Sequence, residues 1–435
     1  MSDQGLNTPR SDQPHDKAPS FYGWRIVKGS VVIAFVAWAF ALYGPSVYLS
    51  ALSQERGWPI GQISTALTVS FLVNALSIGF VGSILGRHGP RVIMSIGAVV
   101  MATGLVLVGQ ITEVWQAFFV FPLMGLGWSC LSTIAITSTI APWFERNQGK
   151  ALSIALLGAS LGGMFGVPIT LLLVNSFGLT QAMWIIGALT VLIIIPISIG
   201  ILRRRPQDMG LLPDGQPASE HKISAVSSRD WRRAEALRTY GLISVILAFG
   251  IGLMVQIGFL SQQVELLQTY IGSTGIAVTV LAAGSLAFLG RVILARFADR
   301  VNVRHVSAMV LLTAGLGMSI IGTADSVTII IVGVLVFGFN VGNLTTLPAL
   351  IVRREFGALS FGRIFGITGT FMQLISSFGP ATFGLLRDLT SSYSTPLYLA
   401  AILLSLSALV IMRGEWRKTF FLEQATTAKH PSSRT

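Results

Sequence analysis

The chain has 435 residues, 52% of them hydrophobic and only 11% charged, with a mean hydropathy of +0.71; an average soluble domain is roughly a quarter charged, so water is excluded as the main solvent. A formal charge of +12 would suggest nucleic acid in a soluble protein, but in a membrane protein it first asks which side of the bilayer the Lys and Arg occupy. The single cysteine, Cys130, excludes an intramolecular disulfide and a cysteine-built metal cluster.

The first 20 residues are polar, contain Pro14 and Pro19 and lack an apolar core or a small-residue cleavage site, so they read as a disordered cytoplasmic tail, not a signal peptide. A helix crosses a hydrocarbon core of about 30 Å with roughly 20 mostly apolar residues. Twelve such stretches follow, starting near Val27, Ile60, Arg91, Val114, Ala151, Thr180, Thr239, Thr274, His305, Val327, Arg363 and Ser394. They are long unbroken apolar runs without the alternation of a β-barrel strand. The polar, Arg- and Pro-rich segment 203–238 divides the chain into a six-helix bundle over 21–202 and another over 239–412, with a cytoplasmic tail over 413–435. The expected fold is an all-α membrane protein of twelve transmembrane helices in two pseudo-symmetric six-helix bundles, both termini cytoplasmic.

With the N-terminus inside, 27 of the 30 Lys and Arg fall on the cytoplasmic side; Arg56 and Arg387 fall outside, and Arg291 alone lies within a span. The basic excess therefore follows the positive-inside rule of a multi-pass inner-membrane protein, and nucleic acid is unnecessary as a partner. The halves echo each other: Gly82-Ser83-Ile84-Leu85-Gly86-Arg87 after the second span corresponds to Arg291-Val292-Ile293-Leu294-Ala295-Arg296 ending the eighth. Duplicated halves imply a site between two bundles near the bilayer midplane.

Tyr22-Gly23-Trp24, Trp143-Phe144 with Gly149-Lys150-Ala151, the run Arg205-Pro206-Gln207-Asp208-Met209-Gly210-Leu211-Leu212-Pro213-Asp214-Gly215, and Gly379-Pro380 with Gly384-Leu385-Leu386-Arg387-Asp388 and Tyr393 make this chain resemble the major facilitator superfamily. Within it, the chain is similar to the monocarboxylate transporters and their bacterial relatives, the oxalate/formate exchangers. The resemblance implies secondary transport of a small organic anion, a monocarboxylate foremost, by alternating access. Where that family's proton-coupled animal members place a Lys and an acid, this chain has Tyr43 and Ala287; where oxalate exchangers carry a Lys, it has Phe371-Met372-Gln373. A coupling proton is thus left open as a partner.

Arg291 lies eight residues before Asp299, about 12 Å along a helix, and so well inside the membrane. A charge there is disfavoured by roughly 2.5–3.5 kcal/mol and calls for a wet cavity or a partner. Its guanidinium fork suits a carboxylate; a structural Arg held by backbone carbonyls is the competing reading. Tyr43, Ser132, Asn340, Asn343 and Gln373 are mid-span polar groups that can bind the substrate's other oxygens or tie helices together. For Trp128 and Phe337, packing is the expected role. Asp299, across the cytoplasmic seam from Arg146 or Lys150, is expected to gate the transporter together with Arg300 and Arg87. No Walker-type loop is present, so ATP is not expected as the driver, nor any cofactor. An enzyme would need acid, base or metal ligands in the cavity, which the spans lack. Efflux of a neutral or cationic compound, with Arg291 structural, and a transport-inactive sensor are the alternatives.

Overall fold

The computed structural model describes residues 21–215, 231–297 and 300–429, and of 215, 295, 358, 359 and 415–429 the backbone alone. The expected disordered tail over 1–20 and the central part of the linker lie outside the described residues, as does Asp299.

The described residues contain ten helices long and apolar enough to cross a membrane. Two breaks turn them into twelve spans. The helix Gln148–Gly200 is interrupted at Gly178 (φ 77°, ψ 164°), and Val327–Ser376 at Gly357 (φ 77°, ψ 163°). Both glycines adopt a backbone region essentially closed to other residues, so each turns the chain with no loop at all. The spans are α1 (Gly23–Arg56), α2 (Ile60–His88), α3 (Pro90–Val108), α4 (Val114–Trp143), α5 (148–177), α6 (179–200), α7 (Tyr240–Gln268), α8 (Ser273–Phe297), α9 (Val303–Gly322), α10 (327–356), α11 (358–376 with Gly379–Thr390) and α12 (Ser394–Lys429). The predicted starts agree with these except at α11, which begins directly after Gly357, not at Arg363. The polar residues Arg353, Arg354, Glu355 and Arg363 straddle Gly357, so the polar stretch runs on into α11 and sets the apparent start too late. Helix α12 also runs beyond Met412, because no proline interrupts the chain before Pro431.

Helices α1 and α3–α6 pack with α2 in one half, and α7–α12 in the other. Small residues set the closest approaches. Gly158, Gly162 and Gly166 lie against the α1 backbone at Val31, Phe35 and Ala39, where any Cβ would collide. Large apolar side chains such as Phe80 (70% exposed) and Phe119 (69%) point outward, as lipid-facing residues do. Three of the described spans are irregular along their length, α11 being broken at Ser377–Phe378. α1 carries a π-helical turn, Trp38–Tyr43, immediately before Pro45, whose missing N–H prevents the regular ladder from continuing. α4 unwinds between Ser129 and Thr133.

The end rich in Lys and Arg is held by two clusters. In the second half Arg304, 4% exposed, bonds Glu355 through both carboxylate oxygens (2.7 and 3.0 Å), Ser244 (3.0 Å), and the carbonyls of Gly241 (3.1 Å) and Ile411 (2.9 Å). In the first half the Tyr22 hydroxyl donates to the Ile201 carbonyl (2.8 Å), and Trp24 meets Phe144 edge-on at 5.0 Å. The linker's Asp214, itself at positive φ, accepts the backbone N–H groups of Glu145 (2.8 Å) and Arg146 (2.7 Å) and the Asn147 amide (3.3 Å).

Burial works to raise the Asp214 carboxyl, but these donors win and hold it below the usual carboxylate range. Its folded value is depressed, so the clamp holds above the unfolded carboxylate range and is lost as pH falls through that lowered value. Asp214→Ala is expected to speed tryptic cleavage at Arg203–Arg205 at neutral pH, read on a gel, and acidification with an acid-active protease should reproduce the effect in the wild type.

Candidate functional site

A cavity of about 520 Å³ of empty space, counted with its open mouth, lies between the halves. Its wall on α8 is one helical face, Val280, Ala283, Gly284, Ala287 and Arg291; α10 adds Val334, Phe337, Gly338 and Val341; α7 adds Phe259, Leu260 and Gln263. The first half contributes Tyr43, Ser160 and Gly163. Tyr43 ends the π-helical turn and its ring lies on Gly163, where a Cβ would meet it at 2.7 Å.

Arg291 is the charged residue of this wall. Its Nε donates to the Gly342 carbonyl (3.1 Å), one terminal nitrogen to Thr345 Oγ1 (3.0 Å) and the other to Ser160 Oγ across the interface. All three partners are neutral, and no carboxylate among the described residues lies within ion-pair reach. A guanidinium has five N–H donors, so two stay unengaged. Gly342 makes this placement possible: a Cβ there would stand 2.6 Å from Arg291 Cγ.

Arg291 and Tyr43 thus come together as expected. The other polar residues do not join them. Asn340 accepts from Thr313 Oγ1 (3.0 Å) and donates to the Val336 carbonyl (2.8 Å), so it ties α9 to α10, the second of its two expected roles. Asn343 is buried and its Nδ2 faces Gly290, between α8 and α10. Ser132 is buried at the unwound part of α4, with no partner for its hydroxyl, and Gln373 is half-buried on α11; neither lines the cavity. Trp128 packs edge-on against Trp38 (6.0 Å) and Phe71 (5.8 Å), as expected; Phe337 packs on Phe259 (5.0 Å) but also faces the cavity. Ser160, Thr345 and Gln263 escaped notice in the sequence. Ser160 lies in the small-residue run Gly158-Ala159-Ser160-Leu161-Gly162-Gly163, and single hydroxyls or amides in apolar spans are common.

The expected gate is only partly in view, since Asp299 lies outside the described residues. Arg87 and Arg300 are exposed. Lys150 Nζ stands 5.8 Å over the Trp24 ring of its own half, and the Arg146 N–H serves Asp214. At this basic end the halves are apart: a Cβ placed on Gly79 or Gly86 of α2, or on Gly362, Gly366 or Gly369 of α11, would have nothing within 4 Å.

The opposite end is closed. Asp388 Oδ2 accepts the Gly61 N–H (2.7 Å) in the first turn of α2, a carboxylate from one half capping a helix N-terminus of the other. Gln262 donates to Ser64 Oγ (2.7 Å) and accepts from the Tyr393 hydroxyl (3.2 Å), Ser50 donates to Glu265 (2.7 Å), and Thr68 accepts from the Ala381 N–H (2.9 Å). Asp388→Ala is expected to loosen this seam. In a Cys130→Ala background, a cysteine replacing Ser64 should then react several-fold faster with a membrane-impermeant maleimide.

A family model described as Major Facilitator Superfamily matches residues 29–380. The chain is 22% identical over 416 residues to human monocarboxylate transporter 11, covering 91% of this chain and 84% of that one. It is 22% identical over 389 residues to the aspyridones efflux protein of Emericella nidulans, covering 88% and 75%. Among solved structures, the bacterial homologue of the human lysosomal transporter Spinster, in its inward-facing and unoccupied conformation, superimposes with a TM-score of 0.69 at 13% identity over 90% of this chain and 97% of that one. At that identity the likeness concerns the fold.

Proposed function

The chain belongs to the Major Facilitator Superfamily, and from that membership we propose that it is a secondary transporter of a small organic anion, a monocarboxylate by class, moved across a cytoplasmic membrane by alternating access. The observation that carries this reading is Arg291: a cation on the cavity wall, anchored by three neutral partners, with donors left over and no carboxylate beside it. A carboxylate fits that vacancy of charge, because two parallel N–H···O bonds match the guanidinium fork. Tyr43, on the facing half, supplies a hydroxyl to the same cavity. Ser160 belongs to the first half and Gly342 and Thr345 to the second, so the guanidinium bridges the parts that must separate when the transporter turns over.

The test is uptake of labelled lactate, pyruvate, oxalate and longer monocarboxylates into proteoliposomes, with and without a pH gradient, for wild type and Arg291→Gln. Saturable uptake that the substitution abolishes supports the reading, and the gradient arm decides whether a proton accompanies the anion. Transport of neutral compounds that ignores added carboxylates, or undiminished transport by the variant, overturns it in favour of efflux with a structural Arg291. The aromatic and aliphatic remainder of the wall makes that second reading worth including in the panel.

A further inference from the structure

The cavity has a second polar end. Gln263 is 2% exposed, lines the cavity, and its carboxamide has no hydrogen-bond partner among the described residues, with Nε2 fully enclosed. Burying an amide donor without a partner is unfavourable, and native interiors rarely leave one so. Its neighbours show that the local chain can satisfy such groups: Gln262 is bonded on both sides, to Ser64 and Tyr393. Gln256, on the same helix, also has an unpartnered carboxamide oxygen but does not line the cavity; Gln263 is set apart by being unpartnered in the cavity wall.

Its distance from Arg291 follows from the helices. Counted from the short turn joining α7 to α8, Gln263 is five residues back along α7, about 8 Å, and Val280 is seven residues into α8, about 11 Å, so Gln263 stands about 3 Å nearer the turn than Val280. Arg291 lies eleven residues beyond Val280, about 16 Å along the helix axis. Between the two polar ends the wall is Phe259, Phe337, Ala283, Ala287 and Val341, with Gly284 and Gly338 leaving room beside the aromatic pair. Arg291 at one end, an unpartnered amide at the other and an aromatic, aliphatic middle describe a ligand with the same order of chemistry.

We propose that Gln263 is a specificity-determining ligand residue, and that the preferred substrate is an elongated carboxylic acid with an apolar or aromatic body and a second oxygen function at its far end. This deepens the organic-anion reading and rests on it. The carboxylate sits on Arg291, the ring or chain lies along Phe259 and Phe337, and the distal hydroxyl or carbonyl oxygen accepts from Gln263 Nε2. A two-carbon acid would engage Arg291 and leave the aromatic pair and the amide facing water.

The test is direct binding to the purified full chain by calorimetry, using 3-(4-hydroxyphenyl)propanoate, 3-phenylpropanoate and acetate against wild type, Gln263→Leu and Arg291→Gln, each variant checked for a wild-type melting profile. The wild type should bind the hydroxylated acid roughly three- to tenfold more tightly than its deoxy analogue, the range expected for one net hydrogen bond, and both far more tightly than acetate. Gln263→Leu should erase the preference between the two aryl acids while keeping the binding of 3-phenylpropanoate; Arg291→Gln should lose both. Arg291-dependent binding without a wild-type preference for the hydroxylated acid, or a preference that survives Gln263→Leu, overturns the role of Gln263 and leaves the anion reading standing. Binding of the acids unaffected by Arg291→Gln, or no binding of any acid, overturns both. The wild-type comparison needs no variant, so a poorly folding Gln263→Leu leaves the question decidable.

Discussion

Arg291→Lys, which keeps the charge, is expected to leave the protein folded and to weaken binding and uptake of its carboxylate by roughly 10- to 150-fold, the loss of one charge-assisted hydrogen bond at about 1.5–3 kcal/mol. The planar fork of Arg291 reaches the Gly342 carbonyl, Thr345 and Ser160 at once and still presents N–H groups to the cavity. A lysine ammonium is a point donor on a flexible stem; it can stay with the carbonyl or move to the anion, and it matches the carboxylate with one contact instead of two. Dissociation constants and initial uptake rates in proteoliposomes, beside melting curves in detergent, check this. Wild-type affinity in the lysine variant would mean that charge alone recruits the substrate and that the fork geometry is incidental.

Glu355→Ala is expected to be the most destabilising single change in the second half, by about 3–5 kcal/mol, since it strands a buried guanidinium. Arg304 would keep Ser244 and the carbonyls of Gly241 and Ile411, but these are neutral dipoles, and the carboxylate that accepts two of its N–H groups would be gone. Gly414 leaves the room that the guanidinium occupies, so the arginine has no easy route out. Removing both members as Arg304→Met with Glu355→Met should cost less than Glu355→Ala alone, because apolar groups of similar volume are left without an unpaired charge. Thermal melts of the three variants in one detergent read the order; a double variant less stable than the single would show that the network acts chiefly through its backbone contacts.

Much of the architecture was legible because a bilayer forces it. Every span must satisfy its own backbone, so apolar length alone located α2, α4 and α10 to the residue. The boundary at α11 was missed because Arg363 lies inside the helix and prolongs the polar stretch past the joint at Gly357. Within the site, Arg291 could be found from the disfavoured burial of its charge, and Tyr43 from its place in an apolar span. Asn340 stayed open between two roles, since an amide in a membrane helix looks the same in sequence whether it meets Thr313 or a ligand. The motifs that carried the resemblance are structural: Tyr22, Trp24 and Phe144 fasten the start of α1 to the ends of α6 and α4, Asp214 fastens the linker, and Asp388 and Tyr393 fasten the closed end. They speak for the family's frame and are silent about its cargo.

The glycine joints bear on how this frame can move. Gly89, Gly178 and Gly357 share nearly one backbone geometry, φ 77–82° with ψ near 163°, and each connects two spans through a single residue. A joint of that length has no slack to absorb a relative slide, so α2 with α3, α5 with α6, and α10 with α11 behave as stiff hairpins that tilt as units. Compliance has to come from elsewhere: the hydrogen-bond ladder is irregular at the π-helical turn of α1 and the unwound middle of α4 in the first half, and at Ser377–Phe378 of α11 in the second. Two of the three joints lie in the first half and one in the second, so each half combines pairs of spans held by a one-residue joint with a span able to bend along its length.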